Sequence, residues 1–192
     1  IPFVLDNLDY FAYSMKVSQV GVLPQDWHIS NNGWPIVNSL LFSIMPNGEM
    51  MDYIFAQRIL AILFSVMTII PLYYLCKKFF SNQIAIFGTI IFSFEPHLII
   101  NSNAGGIYPI AIFILTISLS LFLTKHRFGI YVSFIAAGIL SCFRYELIII
   151  IIPLSIFFFL KLKNENKKYL KFIFCITLFI LVMLPVTILN YN

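Results

Sequence analysis

Six predominantly apolar stretches, each 14 to 18 residues long, constrain this chain more than any other feature of its sequence. They are Ile59–Leu75, Ile84–Ile100, Ile107–Leu123, Phe128–Phe143, Leu147–Leu160 and Phe172–Leu189. Long apolar runs are typical of segments that cross a lipid bilayer. Because lipid offers no hydrogen-bond partners, the backbone of such a segment must satisfy itself, which favours helices. The sequence therefore predicts an all-α, multi-pass transmembrane helical bundle.

The composition excludes a soluble domain. Of the 192 residues, 60% are hydrophobic and only 10% are charged, whereas about a quarter of a soluble domain is charged. The net charge of +4 does not indicate nucleic-acid binding, because the basic residues lie in short loops between apolar runs. The three cysteines have no C-x-x-C spacing and are interpreted as packed hydrophobic residues. Because apolar residues open the chain at Ile1–Leu5, we interpret it as an excerpt of a longer polypeptide.

The first 58 residues are more polar and more acidic than the rest. The spacing of their apolar residues predicts a helix over Asp9–Val20 that lies on the membrane surface and is ended by Gly21 and Pro24. A further apolar run, Ile36–Met45, is too short to cross the bilayer and is interpreted as interfacial or re-entrant. We therefore expect one domain, with an external loop over residues 1–58 and about six transmembrane helices over residues 59–192.

The charges predict how the helices are oriented. Nine of the twelve basic residues follow the first, third or fifth apolar run: Lys77, Lys78, Lys125, Arg127, Lys161, Lys163, Lys167, Lys168 and Lys171. Seven of the eight acidic residues lie in the opposite set of loops. Positively charged loops face the cytoplasm, so the acidic loops are expected outside the cell. The sequence thus predicts a multi-pass plasma-membrane protein whose acidic loops lie outside the cell.

The same charge pattern predicts a hairpin over residues 128–160. A single long helix would place the basic loops before and after it on opposite faces of the membrane, whereas two crossings place both inside. The turn is expected at Arg144–Glu146, which leaves arms of about 24 and 21 Å at the rise of an α-helix. Both arms are shorter than the roughly 30 Å hydrocarbon core. The turn should therefore lie recessed and face protein or a water-filled cavity, since charged residues at depth rarely face lipid.

Four segments together resemble a known family. An acidic, aromatic helix start is found at Asp6–Ala12 (DNLDYFA), and a turn into a short helix at Gly33–Pro35 (GWP). An arginine opens the next span at Arg58–Leu60 (RIL), and the hairpin turns at Phe143–Glu146 (FRYE). This order resembles the C-type membrane glycosyltransferases. It is most similar to the branch that uses polyprenyl- or dolichyl-phosphate sugars, such as the protein mannosyltransferases and the lipid A aminoarabinose transferases.

One place departs from that family's pattern. Members often carry an acidic residue followed by proline where the third span begins. The corresponding segment here is Gly105–Pro109 (GGIYP), which has no acid. Glu95-Pro96, at the end of the preceding run, is the nearest acid followed by proline. This departure leaves open that the chain is a non-catalytic relative.

The resemblance implies that a sugar moves from a lipid-phosphate carrier to an acceptor hydroxyl at an external active site, with inversion at the anomeric carbon. Such chemistry requires a carboxylate that takes the acceptor proton or orients the nucleophile. Asp6 is the first candidate for this catalytic carboxylate and Asp9 the second. The alternative is structural, since the spacing of Asp6 and Asp9 also fits a helix N-cap with an acid at the third helical position.

Arg144 is the best candidate for binding the carrier phosphate, because a guanidinium forks well onto phosphate and a recessed arginine usually has a partner. The alternative is an internal ion pair with Glu146 or Glu95 that locks the hairpin. Glu146 is therefore included among the candidate substrate-binding residues. Arg58, at the mouth of a span, is interpreted as an interfacial anchor.

Glu95 and His97 complete the candidate substrate-binding set, because they lie where the second run leaves the membrane. The alternative for both is simple solvation at a helix end. Glu95 with Asp6 and Asp9 would also allow a divalent cation, but the spacing demands no metal or other cofactor.

The expected partners are a polyprenyl- or dolichyl-phosphate sugar, a protein or glycolipid acceptor and the bilayer itself. The competing function class is a transporter or flippase-like carrier. Such carriers often contain internal repeats with helices broken at matched positions. No such repeat is found across these six runs.

Overall fold

The structure is a computed structural model that describes residues 5–22, 24, 31–45, 48–124, 126–163 and 165–191, except for the side chains of residues 5, 6, 127 and 189–191. The regular structure of these residues is entirely helical. The helices are α1 (Leu5–Val20), α2 (Gly33–Ser43), α3 (Met50–Met67), α4 (Ile69–Cys76), α5 (Asn82–Ser93), α6 (Pro96–Asn103), α7 (Tyr108–Phe122), α8 (Arg127–Phe143), a 3-10 helix (Tyr145–Ile150), α9 (Ile151–Lys161) and α10 (Lys168–Tyr191). All six predicted apolar runs are helical, which confirms the all-α fold class.

The long helices run between two ends of the molecule. Contacts between α3–α4 and α7 progress in parallel, from the Gln57–Gly105 hydrogen bond through the Phe64–Phe113 ring pair to the Ser120 hydroxyl, which donates to the carbonyl of Pro71. Helix α8 returns antiparallel to α7, and α9 returns antiparallel to α8. We call the end that contains residues 31–34, 104–108 and 144–146 the site end. The opposite end contains the lysines that follow α4 and α9, and we call it the basic end.

The hairpin over residues 128–160 is confirmed. Helix α8 ends at Phe143, and the next residue, Arg144, has an extended backbone with φ −140° and ψ 106°. The two arms then pack against each other, with the rings of Phe134 and Phe158 edge to face at 6.2 Å. At the basic end the ammonium of Lys161 donates to the carbonyls of Phe122 and Thr124, so both basic loops lie at the same end.

The core is built around this hairpin. Phe134, Leu140, Leu154 and Phe158 are fully buried between α8 and α9. Helix α10 packs parallel to α8, and a Cβ added at Gly138 would lie only 2.9 Å from the carbonyl oxygen of Phe179. Glycine at position 138 therefore permits the close approach of these two helices.

Length and composition qualify two helical segments as membrane spans, Met50–Cys76 and Lys168–Ile188, among the residues described. Helices α5 and α6 together would form a third candidate span, with a bend of 49° between them. The bend has a local cause, because Pro96 disfavours helical backbone at Glu95. Helices α7 and α8 are apolar but shorter. The six crossings predicted from the sequence therefore stay a prediction.

The helices of the external segment differ from their predictions at their boundaries. Helix α1 begins at Leu5, four residues before the predicted start at Asp9, and ends at Val20 as predicted. Gly21 ends it with φ +77°, while its N–H donates to the carbonyl of Val17. The short apolar run forms α2, which begins three residues earlier than predicted.

Candidate functional site

Four segments that are distant in sequence meet at the site end. They are the start of α1, the turn at residues 31–34, the loop at residues 104–107 and the break between α8 and the 3-10 helix. The sequence analysis singled out a part of each segment. Their convergence is the main geometric support for a site here.

The loop Ala104–Gly106 is held from three sides. The Asn7 amide donates to the carbonyl of Ala104 at 3.4 Å. The indole N–H of the fully buried Trp34 and the amide of Gln57 both donate to the carbonyl of Gly105, at 3.1 and 2.8 Å. Gly105 has φ +69°, which other residues rarely adopt. Helices α1, α2 and α3 thus jointly fix the loop that leads into α7.

The turn at residues 31–34 is fixed to the hairpin in a similar way. The side-chain oxygen Oδ1 of Asn31 accepts from the backbone N–H of Tyr145 at 3.0 Å, and the side-chain nitrogen Nδ2 donates to the hydroxyl of Tyr10 at 3.3 Å. A Cβ added at Gly33 would lie 2.8 Å from the carbonyl oxygen of Cys142. Asn31 therefore links α1 to the backbone of the hairpin break.

Arg144 lies at this break with two contacts. Its guanidinium carbon is 4.7 Å from the centre of the Tyr108 ring, a cation–π contact. Its Nε atom is 3.5 Å from a carboxylate oxygen of Glu146. The side chains of Arg144 and Glu146 are 26% and 45% exposed, so neither is sealed inside the protein. Both predicted residues therefore form one partly exposed, charged group.

Of the two acidic residues of α1, the structure describes the side chain of Asp9 but not that of Asp6. Asp9 is exposed, and it directly precedes Tyr10, which contacts Asn31. Asp6 is the second residue of α1, but its side chain lies outside the described part of the chain. The N-cap interpretation is wrong for Asp6, because the helix has already begun at Leu5. An acidic residue in the first turn of a helix is favourable because it interacts with the positive end of the helix dipole. An acid at position 6 can therefore stabilise α1 without being its N-cap.

Glu95 caps α6, a role that neither interpretation from the sequence gave it. Its carboxylate accepts from the backbone N–H of Leu98 at 2.6 Å. His97 is exposed in the first turn, and its carbonyl accepts from the Asn101 amide. Because Ala104–Gly106 follows the other end of α6, the helix separates both residues from that loop by about 12 Å. The described contacts bring neither residue to Arg144, and their substrate-binding role stays a prediction.

No three His, Cys, Asp or Glu side chains in the described part of the chain group closely enough to hold a metal ion. The cation site that the sequence allows includes Asp6, so it stays a prediction as well. Arg58 is half-buried in α3, directly after Gln57. Its role as an interfacial anchor is also not tested by these contacts.

Sequence reasoning missed Tyr108 and Asn31. Tyr108 precedes Pro109, at the place where members of the resembled family often carry an acid, and here its ring supports Arg144. That departure was a signal that the position is special, but it did not indicate which residue the tyrosine contacts. Asn31 carried no signal beyond a turn-forming sequence.

Comparison with known proteins identifies the family. The sequence model described as dolichyl-phosphate-mannose-protein mannosyltransferase matches residues 38–189. The match includes the loop before α7 and the hairpin break, and it begins after α1. No curated protein and no solved structure matches the chain. The chain belongs to the dolichyl-phosphate-mannose-protein mannosyltransferase family, and is therefore a membrane protein of the C-type glycosyltransferase kind.

Proposed function

We propose that this protein transfers a sugar from a polyprenyl- or dolichyl-phosphate carrier to a hydroxyl-bearing acceptor outside the cell, with inversion at the anomeric carbon. Family membership supports glycosyl transfer in a membrane. The finer proposal depends on one observation, the partly exposed Arg144 guanidinium stacked on Tyr108 at a helix break. The acceptor is a protein or a glycolipid.

Arg144 has the properties that a phosphate-binding residue needs. The Tyr108 ring lies 4.7 Å from the guanidinium carbon, and the planar fork of a guanidinium matches phosphate oxygens. The contact with Glu146 is 3.5 Å, longer than the roughly 2.7–2.9 Å of a strong charge-assisted hydrogen bond. In this proposal Glu146 orients the Arg144 guanidinium but does not use all of its hydrogen-bond donors.

Asp6 is the proposed catalytic carboxylate, and Asp9 is the second candidate. Positions 6 and 9 are three apart in α1, and residues at that spacing are neighbours on a helix surface. Asp9 is exposed, and its neighbour Tyr10 is linked through Asn31 to the backbone of Tyr145. These bonds support an arrangement in which the start of α1 and the hairpin break flank a common substrate.

The charge distribution supports an external site. The described lysines of the basic loops lie at the basic end, opposite to Arg144 and Glu146. Positively charged loops face the cytoplasm in membrane proteins. We therefore place the site end at the outer face of the plasma membrane, with the remaining apolar helices crossing the bilayer to complete a multi-pass bundle.

The test uses the full-length protein in nanodiscs, with dolichyl-phosphate mannose as donor and a hydroxyl-bearing peptide as acceptor. We expect transfer by the wild type and none by Asp6→Asn, with the melting temperature retained in the variant. Full activity in Asp6→Asn would remove Asp6 from the mechanism. Absence of transfer by the wild type, with polyprenyl-phosphate sugars also tried, would favour a non-catalytic relative in which Tyr108 has replaced the acid.

Arg144→Lys separates phosphate binding from a purely structural ion pair. Lysine keeps the charge but loses the planar fork. We expect a loss of about 1.5–3 kcal/mol in donor binding, the net worth of a hydrogen bond to a charged group. This corresponds to roughly 10- to 150-fold in donor titrations. An equally large defect in Glu146→Gln would show instead that the pair only holds the hairpin together.

A further inference from the structure

Two apolar grooves open near the basic end, far from the site described above. The first has a volume of about 460 Å³ and lies between α3–α4 and α7. The second has a volume of about 400 Å³ and lies between α4, α7 and α9. Both are within the range of about 300–1,000 Å³ typical of ligand clefts. The contact between α4 and α7 forms a ridge between the two grooves.

The walls of both grooves are mainly apolar side chains, which can pack against a hydrocarbon chain. The first is lined by Met67, Ile70, Pro71, Phe113, Ile117 and Leu121, among others. The second is lined by Phe79, Phe80, Leu119, Phe122, Pro153 and Phe157, among others. Surfaces of this kind bind apolar chains without directional contacts.

Cations lie at the mouths of the grooves. Lys78 lines the first groove. The ammonium of Lys161 donates to the carbonyl of Thr124, which lines the first groove, and to that of Phe122, which lines the second. It also lies 5.2 Å from the centre of the Phe122 ring. Lys161 thus lies between the two mouths and covers the carbonyls at the end of α7, which would otherwise repel an anion.

The electrostatics favour an anion here. Burial, together with the nearby charge of Lys78, lowers the pKa of Lys161. An anion between the two ammonium groups would relieve their repulsion. Among the described residues of the basic end the one acid is Glu165, and it pairs with Lys171. No described carboxylate therefore competes for Lys78 and Lys161.

We propose that the two grooves and the lysines between them bind one anionic two-chain phospholipid of the bilayer. One chain lies in each groove, on either side of the α4–α7 ridge, and the phosphate headgroup contacts Lys78 and Lys161. This site is separate from the proposed carrier site at the other end of the molecule. The inference does not depend on sugar transfer.

The test uses full-length protein in phosphatidylcholine nanodiscs that contain a phosphatidylglycerol with a photoreactive acyl chain. A phosphatidylcholine with the same photoreactive chain is the reference probe. We expect the anionic probe to label peptides from residues 67–80 and 113–124 more strongly than the reference probe does. Unlabelled phosphatidylglycerol should reduce that labelling.

Lys78→Gln should reduce the preference for the anionic probe by about fivefold, the effect of roughly one lysine near a membrane surface. Lys163→Gln is the matched control, because Lys163 is exposed at the same end but lines neither groove. It should leave the preference unchanged. An equal loss in both variants would overturn the proposal, because it would indicate general attraction to the surface.

Three further outcomes would overturn the proposal. Equal labelling by both probes would show that the headgroup is not recognised. Absence of labelling in these peptides would show that another segment of the full chain fills the grooves. Displacement of the anionic probe by polyprenyl phosphate, but not by phosphatidylglycerol, would assign the grooves to the sugar carrier.

Discussion

At the scale of single residues, the candidate site depends on a few side chains that orient others. The Tyr108 ring supports the Arg144 guanidinium, and Asn31 holds the backbone of Tyr145. Such supports would matter for the proposed role of Arg144, because a binding group works best when it is held in place before the ligand arrives.

Removing the ring at position 108 should weaken donor use. A cation–π contact contributes about 0.5–2 kcal/mol, so Tyr108→Leu should cost roughly 2- to 30-fold in donor titrations. Tyr108→Phe keeps the ring but removes the hydroxyl, which interacts with Arg144, so it should lose less donor binding than Tyr108→Leu. Identical donor dependence in Tyr108→Leu and the wild type would show that the ring contact has no role in binding.

The carbonyl of Gly105 offers a test by double substitution. Trp34 and Gln57 both donate to it. Gln57→Leu alone should cost about 1 kcal/mol of stability, and Trp34→Phe should cost more, because it also leaves a cavity at a fully buried position. The double variant leaves a buried carbonyl without either donor, which adds about 1–3 kcal/mol beyond the sum. Melting temperatures of the three variants in detergent measure this coupling. Simple additivity would indicate that water or another donor replaces the lost bonds.

At the scale of helices, the site is assembled where α2 meets the end of α8. Gly33, the first residue of α2, lies against the backbone of Cys142 and Phe143 at the end of α8. Nearby, the Asn31 side chain accepts a hydrogen bond from the backbone of Tyr145. The position of α2 therefore determines where the hairpin break lies. The contact between Gly33 and the end of α8 is so close that adding one methyl group at position 33 would disturb it.

Gly33→Ala should destabilise the protein. The added Cβ would lie 2.8 Å from the carbonyl oxygen of Cys142 and 3.0 Å from the Cα of Phe143. Both are backbone atoms, so the helices must move apart, at an expected cost of about 1–3 kcal/mol. Gly88→Ala is the matched control, because a Cβ in this part of α5 meets nothing within 4 Å.

At position 88 alanine should be neutral or stabilising by about 0.5–1 kcal/mol, since glycine weakens a helix interior. Thermal unfolding in detergent should therefore show a lower melting temperature for Gly33→Ala alone. Donor use should fall with it, because α2 and the hairpin move together. Equal melting temperatures for the two variants would contradict the close contact between α2 and α8.

At the scale of the whole molecule, the lysine-rich loops and the candidate site lie at opposite ends. Arg144 and Glu146 lie at the site end, whereas Lys78, Lys161 and Lys163 lie at the basic end. A return of the chain within residues 128–160 produces this separation, because it brings the loops before α8 and after α9 to the same end. The proposed orientation of the protein in the membrane depends on these lysines, because positively charged loops face the cytoplasm.

Cysteine labelling tests that orientation. In full-length protein with its natural cysteines replaced, Tyr145→Cys should react with a membrane-impermeant maleimide added outside intact cells. Lys163→Cys should react only after the cells are permeabilised. Both positions are exposed, so the difference would report the side of the membrane and not burial. Labelling of position 145 from the cytoplasmic side alone would reverse the proposed topology.

Local sequence signals by themselves determined much of this architecture. Apolar runs predict helices because a lipid-facing backbone must bond internally, and Gly21 ends α1 because it adopts a positive φ. The charges on both sides of residues 128–160 predict the turn at Arg144. Each of these signals acts within one segment, so no knowledge of neighbouring helices is needed. The start of α1 was misjudged because Asp6 and Asp9 fit both an N-cap and a first helical turn.

The contacts that build the candidate site were decided by tertiary structure alone. The Asn7–Ala104 bond joins residues 97 positions apart, and the Asn31–Tyr145 bond joins residues 114 positions apart. Tyr108 reaches Arg144 because α7 starts where α8 ends. Such neighbours depend on how far each helix runs and how it is rotated about its axis. A periodic apolar pattern does not specify either property for helices that are apolar on most sides, and only packing brings these side chains together.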